Sequence, residues 1–286
     1  MVPARQIPTT VIHSDRGYVH IAGAGLLLIG LCVFALFLYC RAEEQTVPVT
    51  GRTQKVAMSE KDQAKLGADA YAQVLNEQAS EVVRGGPEAD MVQRVGERIA
   101  AAADDPGYDW EFTLLEDPEV NAWCLPGGKV AVYSGILAVT QDENGLAVVM
   151  AHEIAHAIAQ HGAERMLQEQ LTQVGLTAVS TTLGGISPQA QGAVLALFGA
   201  GAQYGVLLPF SRDMESEADH IGLIYMARAG YDPEAAVALW QRMADQRKSP
   251  EVPEYTSTHP SDATRIKDLQ KWMPEAQKEY EKALAK

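Results

Sequence analysis

The chain has 286 residues, 47% hydrophobic and 7% aromatic, enough for one large domain or two small ones. A formal net charge of -14 excludes the basic face that a nucleic-acid binder needs. Three cysteines, two of them inside the first apolar run, leave no disulfide framework for a globular part.

Residues 1–20 form an N-terminal flank with Arg5 and Arg16. Ile21 to Cys40 then runs for 20 residues without a charge. A helix of that length covers about 30 Å, the thickness of a bilayer core, so 21–40 is expected to be a single transmembrane anchor. A lipoprotein acylated at Cys40 is the alternative, opposed by Tyr39 where a small residue belongs. Positive charges flank both ends and do not orient the anchor. Residues 41–58 read as a polar linker, and 59–286 as one domain.

Ser59 with Asp62 three residues on resembles a capping box and opens a helix with Leu66, Ala70 and Val74 at helical spacing. A second helix is expected from about Pro87 to Ala102, with proline in its first turn. "DWEFTLLED" (109–117) and "KVAVYSG" (129–135) read as strands. After Asp142 the chain turns helical, with Gly162 and Gly230 as natural stops and Asp232-Pro233 as a start. The fold class is therefore α+β, mostly helical, with a small sheet.

From Gln170 to Ser211 no residue is charged. A second membrane element is one reading. The other is a pair of buried or mutually packed helices broken near Pro188. The polar residues that interrupt both halves favour the packed pair, and a mobile cover over a groove is a third reading.

"AHEIAHAIAQHG" (151–162) places two histidines and a glutamate in an apolar stretch, where unpartnered polar groups cost kilocalories. On one helix over 142–161, His152 and His156 share a face and can reach one metal ion. Glu153, rotated by about 100°, reaches a water on that ion without ligating it, the logic of H-E-x-x-H. A third histidine six residues after His156 is missing, because Gly162 stands there. His161 lies five residues past His156 and reads as a surface histidine near a helix end. The third ligand is expected from "SRDMESEADHIG" (211–222). There Glu215 can complete a His2Glu site, and Asp219 on the same face can accept the other ring N–H of a ligating histidine. Glu217 faces away.

Five segments in order resemble the M48 family of zinc metallopeptidases over roughly residues 50–270: "TGR" (50–52), "NAWCLPGGKVAVYSGIL" (121–137), "AHEIAHAIAQHGAERM" (151–166), "SRDMESEADHIGLIYMARAGYDP" (211–233) and "STHPSDATRI" (257–266). The resemblance implies a zincin-like domain, one Zn2+ per chain and peptide-bond hydrolysis, with Glu215 as ligand and Asp219 supporting a histidine. It implies that His259 approaches the metal, either to stabilise the oxyanion or to occupy the open position at rest, and that Arg265 braces this loop. It also implies an edge strand near Asn121, Gly127 and Gly128 that binds substrate as an added strand. Glycines inside a strand would let another backbone come close. Unfolded or misfolded envelope proteins are the expected substrates, and the periplasmic face of a bacterial inner membrane the expected place of residues 41–286. A chaperone-like binder with little proteolysis is the alternative function, and a structural zinc protein a weaker one. Cys124 is a lone thiol near the site, read as a small apolar residue rather than a reactive one.

Overall fold

The computed structural model describes residues 16–183, 187–246, 259 and 263–286. Helix α1 (Arg16–Arg41) contains the first apolar run and leads into a hairpin of β1 (Glu43–Thr46) and β2 (Thr53–Val56). The stretch expected as a polar linker is thus folded, and its turn delivers Arg52 to the interior, as described below. Helix α2 (Glu60–Glu77) starts as expected: the Ser59 hydroxyl accepts from the Asp62 N–H. Helix α3 (Pro87–Ala102) begins at its proline and buries Val92, Val95 and Ile99.

The second sheet is built from β3 (Val82–Val83), β4 (Glu111–Leu115), β5 (Ala122–Leu125) and β6 (Lys129–Tyr133) in the order β3-β4-β6-β5. β4 and β6 are parallel, while β5 pairs antiparallel with β6 and is an edge. Gly127 and Gly128 are not inside a strand. They form the β5–β6 turn with φ of 82° and 88°, a region that favours glycine. A side chain at Gly127 would collide with Ala64 of α2. The close backbone approach expected at this pair is therefore made at Gly127 by α2, while Gly128 is approached by the Trp110 ring.

Helices α4 (Ser134–Thr140) and α5 (Glu143–Ile158) follow the sheet. Asp142 caps α5 by accepting from the Gly145 N–H. Every residue from Gly145 to Ala155 is buried. Helix α8 (Leu208–Arg228) crosses α5 at Gly222, where a Cβ would stand 3.0 Å from the His152 backbone nitrogen. That contact brings the acidic face of α8 up to the histidines of α5. Helices α9 (Glu234–Gln246) and α10 (Ala263–Leu284) pack on the other side, with Leu239, Trp240, Leu269 and Ala276 in the same core.

Two expectations fail between α5 and α8. The helix over 142–161 ends at Ile158, because Gln160 takes a left-handed φ of 52° and starts a new direction. Gly162 lies in the first turn of the next helix, α6 (His161–Thr182), so the stop falls a few residues before it. The charge-free segment forms most of α6, then α7 (Pro188–Ala202) and a π-helical turn (Gln203–Leu207) continuous with α8. The break near Pro188 and the contact between α6 and α7 are present. Burial is not: among the described residues no layer covers α7, and none of its residues is buried.

Candidate active site

His152 and His156 sit four residues apart on α5, and α8 carries Glu215 to them. The His152 and His156 Nε2 atoms are 3.1 Å apart, and Glu215 carboxylate oxygens stand 3.3 Å and 3.4 Å from them. His259 arrives from the segment before α10, its Nδ1 3.1 Å from His152 Nε2 and 2.9 Å from Glu215 Oε2. One donor atom from each of these four residues lies within 4.8 Å of all the others.

Each histidine of α5 is held from behind. His152 Nδ1–H donates to Asp219 Oδ1 at 3.0 Å, and both groups are buried. Burial raises the Asp219 carboxyl, but the Arg265 charge and the His152 contact outweigh it and hold the group ionised. Arg265 donates to the same carboxylate at 2.6 Å, stacks 3.5 Å over the Trp240 ring and reaches the His259 carbonyl at 3.4 Å. It also lies 3.1 Å from His152 Nδ1, so it braces both His152 and the backbone at His259.

The support of His156 went unread in the sequence. The turn at Gln160 swings His161 back onto His156, and the surface position expected for it is wrong: His161 is 2% exposed. Its Nε2–H donates to Glu217 at 3.1 Å, and its Nδ1 is 2.9 Å from His156 Nδ1. Burial pushes the His161 pKa down to about 4, so the ring is neutral and its Nδ1 is an acceptor. His156 Nδ1–H therefore donates to it. Glu217 does face away from the four-residue cluster, but not into solvent. Burial raises its carboxyl, and hydrogen bonds from His161, Thr50 and Arg52 override this and hold it at about 2. Arg52 also forks onto Glu164 at 2.8 Å and 2.9 Å. The "TGR" and "HGAER" segments thus meet Glu217 in one network. The signal in the sequence was the early glycine at 162, which marked a break without giving its direction.

This wiring decides what the cluster can hold. With both Nδ1 atoms donating backwards, the bare Nε2 lone pairs of His152 and His156 face each other. Two acceptors at that distance cannot bond to one another, whereas a cation between them satisfies both. Tetrahedral ligand atoms at about 2.0–2.1 Å from zinc lie about 3.3–3.4 Å apart, close to the spacings here. Burial raises the Glu215 carboxyl, but the three imidazoles hold it well below the usual carboxylate range. Beside the cluster, Glu153 is 4% exposed, and its Oε1 makes no hydrogen bond within the described residues. His259 Nε2 stands 3.5 Å from that oxygen. A buried carboxylate oxygen with no donor, next to converging ligands, leaves room for a water. The residues fit a metal ion of the transition series.

Residues 87–273 match peptidase family M48. The chain belongs to that family. As a family M48 member it is a metallopeptidase, and the cluster of His152, His156, Glu215 and His259 lies wholly inside the matched region. The chain is 39% identical over 235 residues to the mitochondrial metalloendopeptidase OMA1 of Schizosaccharomyces pombe, covering 81% of this chain and 67% of that one. It is 32% identical over 281 residues to the Saccharomyces cerevisiae protein of the same name, covering 90% and 76%. It is 37% identical over 182 residues to the beta-barrel assembly-enhancing protease of Yersinia pestis, covering 62% and 37%.

The M48 cleft, about 250 Å³, is lined by Trp123, Cys124, Glu153, His156, Glu215 and His259 among others. Strand β5 therefore borders the cluster. Asn121 precedes it and donates to Glu119 at 2.8 Å. Burial pushes the Cys124 thiol well up, which keeps it in the unreactive protonated form.

Proposed function

We propose that this chain is a zinc-dependent endopeptidase that cuts unfolded or misfolded envelope proteins, with His152, His156 and Glu215 holding one Zn2+ and Glu153 as general base. The carrying observation is the buried Glu153 oxygen beside four converging donor atoms. A bound Zn2+ supplies a Lewis acid for the scissile carbonyl and lowers the pKa of water toward 7. Glu153 takes a proton from the attacking water and returns it to the leaving amine. Asp219 and His161 keep the two imidazoles in the tautomer that presents Nε2. The free edge of β5, beginning beside Asn121, receives the substrate as an added strand, so main-chain pairing gives affinity with little side-chain preference. Gly127 and Gly128 shape the turn at its end. Helix α1 anchors the chain, and residues 41–286 lie on the periplasmic face of a bacterial inner membrane.

The test is digestion of casein by the purified chain, with zinc measured in the same sample. Wild type is expected to cut, and a Glu153→Gln variant to keep its zinc without cutting. Loss of zinc from that variant, or equal cutting by both, would refute the assignment.

A second reading is favoured by His259. Its Nδ1 lies among the ligand atoms, where it closes a fourth position that a catalytic site keeps open. In this reading the structure is a resting state, and the protein holds unfolded chains until His259 leaves. His259→Ala then raises the rate of casein cleavage. A fall in rate instead assigns His259 to the oxyanion.

A further inference from the structure

Helix α7 and the charge-free part of α6, from Gln170 on, form an exposed apolar pair outside the core. Pro188–Arg228 is one continuous helical run of 41 residues, and the most apolar stretch of it has no buried residue. Leu197 is 73% exposed and Tyr204 72%, with Phe198 and Val206 also exposed. An apolar groove between the two helices, lined by Leu176, Val179, Leu197 and Phe198 among others, shares no lining residue with the cleft. Such an area facing water is an aggregation hazard, so it has a partner.

Three observations identify the partner as lipid. First, helix α1 packs along α6, so the hairpin continues the surface of the apolar N-terminal helix. Second, the charges stop where the apolar stretches begin. Arg41 ends α1, where Lys55 of β2 lies over the Tyr39 ring; β2 also contacts α6. Glu169 is the last charge on α6 before the gap, and Arg212 is the first after it on α8. An aromatic ring and cations at the end of an apolar helix are the signature of a membrane–water boundary. Third, the exposed hydroxyls of α6 are already satisfied. Thr177, Thr181 and Thr182 donate to the Gln173, Thr177 and Val179 carbonyls at 2.8 Å each. Hydrocarbon requires hydroxyls to be satisfied within the helix, and these are.

We propose that the α6–α7 hairpin enters the bilayer beside α1 and holds the cleft at the membrane surface. Glu215 lies four residues beyond Ser211, about 6 Å along the helix. The cleft is then about one helical turn from the boundary. This deepens the peptidase reading, on which the substrate class rests: the segments within reach are those adjoining a membrane, such as unfolded chain next to a membrane-spanning stretch.

The test uses the full chain in phospholipid vesicles, with Cys32, Cys40 and Cys124 replaced by serine. An environment-sensitive fluorophore is placed at Leu197→Cys, at Leu36→Cys on α1, or at Glu88→Cys on α3. Vesicles with brominated acyl chains report contact with lipid. The expected result is loss of fluorescence at 197 and 36 and none at 88. Quenching at 36 with none at 197 overturns the proposal, and so does shielding of 197 by a second copy, seen as cross-linking between chains through that cysteine. Because no arm reads cleavage, the hairpin can fail while the peptidase reading stands, and the reverse.

Discussion

Helices α5 and α7 have nearly the same length, 16 and 15 residues, and both are apolar and rich in alanine. One is the most buried helix of the molecule's centre, and the other buries nothing. Apolar composition measures an aversion to water but does not name the alternative. The difference lies in what each helix can pair. α5 carries two histidines and a glutamate because α8, α10 and the segment at His259 supply partners for them. α7 carries no ionisable side chain at all, and among the described residues no element buries it. Polar cost is tolerated where tertiary structure offsets it, and avoided where the surroundings offer nothing.

Substitutions along the two helices break or sharpen this contrast. The largest effect is expected at Glu153, the costly residue of α5. Glu153→Gln is expected to lower peptidase turnover by about 10²–10⁴-fold while thermal stability is unchanged, measured by casein cleavage and calorimetry together. Next is the packing of the same helix. Ile154 is fully buried, and Ile154→Ala is expected to cost about 2–5 kcal/mol in chemical denaturation.

A smaller effect falls where α5 turns into α6. His161→Ala leaves His156 without its acceptor. Metal affinity is expected to fall about 10–100-fold, read by competition with a chromophoric chelator. His161→Gln, whose amide oxygen can still accept, should recover part of the loss. A variant binding metal as tightly as wild type would reduce His161 to packing. The smallest effect belongs to α7. Leu197→Ala is expected to change stability in detergent by no more than about 0.5 kcal/mol, since Leu197 is 73% exposed. A loss matching that of Ile154→Ala would place α7 in a protein core after all.

The parts of the site that were legible in the sequence are those carried by local spacing. His152, Glu153 and His156 follow from helical periodicity, as does the Glu215–Asp219 pair, and capping chemistry placed the starts of α2 and α3. His161 and Glu217 were missed because their roles depend on one backbone torsion at Gln160, a residue with no local reason to turn left-handed. Arg52 was hidden by distance: its carboxylate partners lie 112 and 165 residues away. Gly127 and Gly128 were placed in a strand rather than its turn, a shift that moves their close contacts to α2 and to Trp110.

The sequence alone determined which side chains could share a face, and hence the chemistry of the cluster, because side-chain direction follows from a helical period that every residue obeys. Only the tertiary structure decided which of the remaining polar residues stand behind the ligands and which apolar segment is left uncovered. Both depend on how helices cross, and that is set by contacts such as the one at Gly222, between residues far apart in the chain.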